Sequence, residues 1–151
     1  MITVRPIRPG DAEALARHVK PAPLLHEARA QLQRDERALY LVAVDDEMPV
    51  GHALLKLPPL GTDHPRLAGI PEVEDLYVAA PFRSAGVGAR LLREAEDAAR
   101  NRGFDRLGLA VAVRNIAARR FYDREGYEDA GLGEFWIQGA RETCRYLVKP
   151  L

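Results

Sequence analysis

One stretch restricts the fold of this chain more than any other. A short apolar run, Val73 to Val78, leads into Arg83-Ser84-Ala85-Gly86-Val87-Gly88, and a long amphipathic helix follows. In that helix Val87, Leu91, Leu92, Ala95, Ala98 and Ala99 recur at three- and four-residue steps, while Arg93, Glu94, Glu96, Asp97 and Arg100 fill the other face. Gly103-Phe104 closes it as a left-handed cap followed by an apolar contact residue. A strand feeding a helix through a glycine loop belongs to an α/β fold. The loop also leaves backbone N–H groups unpaired at the positive end of the helix dipole, a ready site for a phosphate or pyrophosphate.

The remaining punctuation divides the chain into further elements. Ile2 to Ile7 reads as a strand, and Asp11 caps a helix running to about Val19. Pro21-Ala22-Pro23 separates it from a second helix near Leu24 to Glu36. Leu39 to Val44 and Val50 to Leu57 flank the polar turn Asp45-Asp46-Glu47 and read as a hairpin. Residues 58 to 71 form a loop, facing substrate or mobile. Arg106 to Val113 is an internal strand, and Asn115 to Glu125 is a helix closed by Gly126-Tyr127. Arg141 to Val148 is the last strand, reached through a polar connection holding Gly131, Gly133, Phe135 and Trp136. At 151 residues, nearly half of them apolar, residues 1 to 151 make one domain with material for a sizeable core.

Gly86-x-Gly88 is also the front of a dinucleotide-binding pattern. That pattern places its first glycine almost directly after the strand, a third small residue three positions after the second, and an acidic residue about 20 residues on. Here seven residues separate Val78 from Gly86, Leu91 holds the third position, and no strand ends in Asp or Glu at the right place. The segment from Glu74 to Tyr127 instead resembles the GCN5-related N-acetyltransferase (GNAT) family. The loop matches that family's Gln/Arg-x-x-Gly-x-Gly/Ala motif and is followed by Ala89; Leu76-Tyr77-Val78 and Pro81 precede it, Leu91-Leu92 follow, and Asn115-x-x-Ala118-x-x-Phe121-Tyr122-x-x-x-Gly126-Tyr127 resembles the second signature.

The resemblance implies a mixed, mostly antiparallel sheet with a splayed parallel pair and helices on both faces. It also implies acetyl-coenzyme A as co-substrate and a primary amine, of a small molecule or a protein N-terminus, as acceptor. The backbone of Arg83, Ser84, Ala85, Gly86, Val87, Gly88 and Ala89 is then the pyrophosphate cradle. Leu76, Tyr77 and Val78 offer a strand edge to the pantetheine arm, and the Val78 N–H stabilises the oxyanion. Asn115 reaches the cofactor, and Tyr122, seven residues on and so on the same helix face, stands where the family's general acid lies. Phe121, on the opposite side, is the better core residue. The alternative is a catalytically silent acyl-coenzyme A sensor, which needs no acid.

For the base, Glu72 and Glu74 alternate with Val73 and share a strand face, with Asp75 on the other. Burial raises such a carboxyl toward a useful value, and either residue can act through water. Acidic and basic residues balance at 22 each, so no charge field calls for nucleic acid or an anionic membrane, although Arg114, Arg119, Arg120 and Arg124 cluster near one helix. One cysteine, Cys144, builds no disulfide framework and reads as a small buried apolar residue; with no apolar leader, a soluble cytoplasmic protein is expected. His18, His26, His52 and His64 lack ligand spacing, so no metal is expected. The resemblance is compatible with a homodimer, with the last strand supplying an edge.

Overall fold

The computed structural model describes all residues except Asp63 and Gln138, and the side chain of Ile137 is left aside. In chain order the elements are β1 (Ile2–Pro6), α1 (Asp11–His18), α2 (Pro23–Arg34), β2 (Ala38–Asp45), β3 (Met48–Lys56), β4 (Glu72–Val78), a short 3₁₀ turn at Ala80–Phe82, α3 (Val87–Asn101), β5 (Arg106–Ala112), α4 (Ile116–Arg124), β6 (Glu128–Ile137) and β7 (Ala140–Pro150). The strands form one seven-stranded sheet in the order β1-β2-β3-β4-β5-β7-β6. Only β4 and β5 run parallel, and their ladder covers just Glu72↔Gly108 and Val73↔Leu109. Past Val73 the two strands separate, so the splayed pair and the mixed sheet stand as the resemblance implied.

Helices cover both faces. On one, Leu91, Leu92, Ala95 and Ala99 of α3 and Tyr122 of α4 pack against Leu41, Leu55, Leu107 and Leu109 of the sheet. On the other, Leu15 of α1 and Ala30 of α2 meet Tyr40, Val42 and Leu54. The buried residues of that second cluster come from α1, α2, β2, β3 and the segment after β1. Leu67 and Ile70, from the loop between β3 and β4, form a third cluster with Ala130, Cys144 and Tyr146 of β6 and β7. The loop is therefore pinned by its own apolar side chains. Gly108 makes room for this, because a Cβ there would stand 2.8 Å from the Leu67 side chain.

Both helix stops form as the glycines require. Gly103 (φ 86°) and Gly126 (φ 94°) take the left-handed conformation, and the N–H groups of Phe104 and Tyr127 reach back to Ala99 and Tyr122 at 3.1 and 3.0 Å. Four expectations change. Gly10, not Asp11, is the N-cap of α1, and the Asp11 carboxylate accepts the Arg8 N–H at 2.7 Å. Glu96 belongs to the buried side of α3, where the Tyr127 hydroxyl donates to it at 2.8 Å and Lys149 at 3.0 Å. Residues 128 to 137 are a strand: Gly131 sits at the register shift of the β6–β7 ladder, and Gly133 lies under the Tyr146 ring, where a Cβ would clash at 2.2 Å. The C-terminal strand β7 therefore lies inside the sheet between β5 and β6, and the free edge on that side is β6.

Candidate active site

The site begins where β4 leaves β5. The Ala79 N–H donates to the Val50 carbonyl at 2.8 Å, across to β3. Backbone groups alternate sides along a strand, so the Val78 N–H and C=O point the other way, into the gap beside β5. The Val78 carbonyl accepts the Arg83 guanidinium there at 2.8 Å, and that guanidinium stacks over the Tyr77 ring at 5.4 Å. Arg83 thus braces the end of β4 through its side chain, while its backbone N–H is turned back to Ala80 at 3.2 Å.

The loop opens α3 with two left-handed residues, Ser84 (φ 63°) and Gly86 (φ 82°), and Gly86 is the N-cap. The first helical bond runs from the Arg90 N–H to the Gly86 carbonyl at 3.1 Å, so the N–H groups of Val87, Gly88 and Ala89 have no partner within the helix. Around Gly86 no atom lies within 4 Å of where a Cβ would stand. At Gly88 a Cβ would touch Phe121, Val78 and Leu76 at 3.8, 3.9 and 4.0 Å. Gly88 therefore faces the space between β4 and α4. A phosphate-bearing chain that approaches the loop and runs along β4 fits these residues.

Phe121, read from the sequence as the better core residue, is the more exposed of the two rings. Tyr122 is buried in the core beneath α3, edge-on to Tyr127 at 5.8 Å, and Phe121 is the partly exposed ring beside Gly88. Burial first, and the Asp75 charge second, push the Tyr122 phenol up to about 12. Asn115 is the N-cap of α4, where its Oδ1 accepts the Ala118 N–H at 3.1 Å. It is exposed, so it does not share the buried aspect of Tyr122.

The carboxylates of β4 lie on the α1/α2 side. Glu72 is buried and accepts the Thr62 N–H at 2.5 Å, tying the long loop down, with Lys56 at 4.0 Å; burial pushes its carboxyl above the ordinary value. Glu74 is half-exposed, 3.3 Å from Lys56 and 3.7 Å from Arg29. Asp75 does not face away from them. Its positive φ of 53° interrupts the alternation where the β3–β4 register shifts, and both Glu74 and Asp75 pair with Arg29. Burial alone pushes the Asp75 carboxyl up, but bonds from Lys20 and Arg29, each 2.8 Å, outweigh it and hold it below the usual carboxylate range.

Sequence reasoning missed the groups around Asp75. His26 and His52 are far apart in sequence, yet their rings meet edge-on at 5.4 Å, and His52 stacks on Tyr77 at 5.6 Å. Both are fully buried. Burial is the main cause that lowers the His52 imidazole to about 4 and also lowers His26. No local spacing signals such a cluster, which α2, β2, β3 and β4 assemble. Among the described residues, no three His, Cys, Asp or Glu side chains gather as a metal site, and no helix is long and apolar enough to cross a membrane.

The model of the acetyltransferase (GNAT) family matches residues 10–127. Streptothricin acetyltransferase of Streptomyces lavendulae is 40% identical over 81 residues, 52% of this chain and 43% of that protein. An uncharacterized N-acetyltransferase of Methanocaldococcus jannaschii is 28% identical over 107 residues, 71% of this chain and 46% of that protein. The matched stretches thus span under half the length of these relatives. Among solved structures, a GNAT family acetyltransferase of Elizabethkingia anophelis with acetyl-CoA bound superimposes with a TM-score of 0.69 at 18% identity, covering 99% of this chain and 98% of that one.

Proposed function

Since the chain belongs to the acetyltransferase (GNAT) family, we propose that it moves the acetyl group of acetyl-CoA to a primary amine by direct attack on the thioester. The observation that carries this reading is the unpaired stretch of β4 beside β5: the Val78 N–H is aimed into it, and the open N-terminus of α3 lies at its end. The N–H groups of Val87, Gly88 and Ala89 hold the pyrophosphate, assisted by the loop from Ser84 to Gly86. Leu76, Tyr77 and Val78 align the pantetheine arm, and the Asn115 side-chain NH2, whose Oδ1 caps α4, completes the contact from the α4 end. The Val78 N–H is the donor toward the thioester oxygen as charge develops.

Tyr122, buried under α3 next to the Phe121 ring that borders the gap, supplies the hydrogen bond to the departing sulfur. On the opposite side stand the carboxylates Glu72, Glu74 and Asp75, balanced by Lys56, Arg29 and Lys20, and an acceptor arriving as an ammonium ion can take the place of one of these cations. Glu72 is committed to Thr62, so Glu74, the exposed carboxylate, is the better placed of the two to pass the amine's proton to water. The acceptor is a small molecule or a protein N-terminus, and the single buried cysteine, Cys144, suits work in the reducing cytoplasm. Where two copies pair, β6 provides the seam.

Calorimetry with acetyl-CoA, followed by a screen of primary amines read as free thiol release, tests this. Saturable binding and acceptor-dependent thiol release are expected. Absence of binding overturns the reading, and binding without release by any amine turns it into the silent sensor.

A further inference from the structure

The acceptor side of the site already holds an ammonium of its own. Lys20 Nζ donates to the Asp75 carboxylate at 2.8 Å and stands 5.3 Å from the centre of the Tyr77 ring. A carboxylate and an aromatic face are the two groups with which proteins recognise a cationic amine. The Lys20 side chain is 32% exposed, so this amine is also open to solvent.

The position of Lys20 is fixed with unusual care for a residue in a connector. Its carbonyl meets His26 Nε2 at 2.9 Å, and His26 Nδ1 lies 2.7 Å from the Tyr40 hydroxyl. A carbonyl can only accept, so Nε2 carries the imidazole proton and Nδ1 accepts from Tyr40. The Tyr40 oxygen in turn receives Arg29 at 3.4 Å, and Arg29 donates to Asp75 at 2.8 Å. The bonds therefore close a cycle: Lys20 Nζ, Asp75, Arg29, Tyr40, His26 and back to the Lys20 carbonyl. It spans the α1–α2 connector, α2, β2 and the bulge of β4. Asp75 lies past the last β4–β5 pair, and its charge acts on the Tyr122 hydroxyl.

We propose that Lys20 Nζ stands in the place of the acceptor's amine and is itself acetylated by acetyl-CoA bound at this site when no external acceptor is present. The inference rests on the acetyl-CoA reading above. In the step, the Lys20 ammonium gives one proton through the neighbouring carboxylates to water, and its nitrogen forms a bond to the acetyl carbonyl carbon. The carbon–sulfur bond breaks; the sulfur receives the proton of Tyr122, and Tyr122 regains one from the nitrogen by way of solvent. The products are acetyl-lysine, free coenzyme A thiol and one released proton. Acetylation removes the Lys20 charge, leaves Asp75 to Arg29 and fills the acceptor side with an uncharged amide. The protein would thus lower its own activity as acceptor runs out.

The chain contains three lysines, at 20, 56 and 149, which makes the test self-controlled. Lys56 is paired with Glu74 at 3.3 Å and Lys149 with Glu96 at 3.0 Å, so both are also held by carboxylates. The full chain is incubated with acetyl-CoA alone, and acetylation is followed by intact mass and peptide mapping, with acetyl-CoA binding measured on the same sample. One acetyl group is expected on Lys20, appearing at least about tenfold faster than on Lys56, which is held farther back by Glu72 and Glu74, or on Lys149, since of the three Lys20 is the one that stands over the Tyr77 ring. Its first-order rate should not depend on protein concentration, should fall in Tyr122→Phe, and no such product should form in Lys20→Arg, which keeps the charge and binds acetyl-CoA normally. Bound acetyl-CoA with Lys20 unmodified, with equal labelling of all three lysines, or with a rate that rises with protein concentration overturns the inference but not the function. Loss of binding itself in the unaltered protein overturns both.

Discussion

At Tyr122 burial has two opposed consequences. A phenol pushed up to about 12 keeps its proton at any working pH. Yet an ordinary thiol titrates near about 8.5, so handing that proton over completely is uphill. The hydroxyl is therefore best used as a hydrogen-bond donor that follows the growing charge on sulfur, completing transfer only as the amine's proton returns. Tyr122→Phe deletes the hydroxyl and keeps the ring, preserving the contacts with Phe121 at 5.1 Å and Tyr127 at 5.8 Å. Turnover should fall by about 10²–10⁴, with calorimetric affinity for acetyl-CoA unchanged. The value near 12 also means that Tyr122 adds no alkaline limb to the rate profile below about pH 11. Near-normal turnover in the variant would leave Tyr122 a packing residue in an enzyme that works by positioning its substrates.

The strand, loop and helix from β4 to α3 behave as a unit, and the two loop glycines make separable contributions to it. Gly86 takes φ 82°, where a β-branched residue is strained by about 1–2 kcal/mol. Gly86→Val should lower both acetyl-CoA affinity and, by about 2–8 °C, the melting temperature. Gly88 has helical backbone geometry, and the first carbon of a side chain fits it in ordinary contact. Gly88→Ala should change little, whereas Gly88→Val pushes its branches into the space between β4 and α4 and should weaken binding at unchanged stability. Equal affinity for acetyl-CoA in Gly88→Val and the parent would remove the pyrophosphate and arm assignments together. This unit was legible in the sequence because its signals are local: a glycine loop, a 3.6-residue period and a glycine stop. Features set by distant partners were not. The turn of Asp75 onto the Glu74 side accompanies a left-handed residue held by Lys20 and Arg29. Glu96 goes inside because Tyr127 and Lys149 meet it there, and the glycines of β6 look like turn residues until the Tyr146 ring is seen against Gly133.

For the molecule as a whole, the buried histidines link stability to pH. His52 falls from an ordinary 6.5 to about 4 in the fold, so it is neutral in the native state at pH 7. Between those values the unfolded chain takes up a proton that the native state refuses, and stability falls on acidification. The contribution is complete above about pH 6.5 and amounts to about 2 kcal/mol lost by pH 5. His26, also lowered, acts in the same direction. Asp75, held below its ordinary 3.8, has the same sign, but its loss comes only at still lower pH. Glu72 opposes them: its carboxyl is raised by burial, so protonation relieves a cost as pH falls through its raised value toward 4.5. His52→Phe isolates the largest contribution. Both ring nitrogens lack partners among the described residues, and the stack on Tyr77 at 15° needs only a ring, so the variant gives up no hydrogen bond. Urea unfolding at pH 7.5 and pH 5 should show the parent losing about 2 kcal/mol more than the variant over that interval, with no loss in the variant at pH 7.5. The same slope in both proteins would mean that His52 accepts a proton in the folded state, with Asp75, 4.0 Å from its Nδ1, moving in to pair with it.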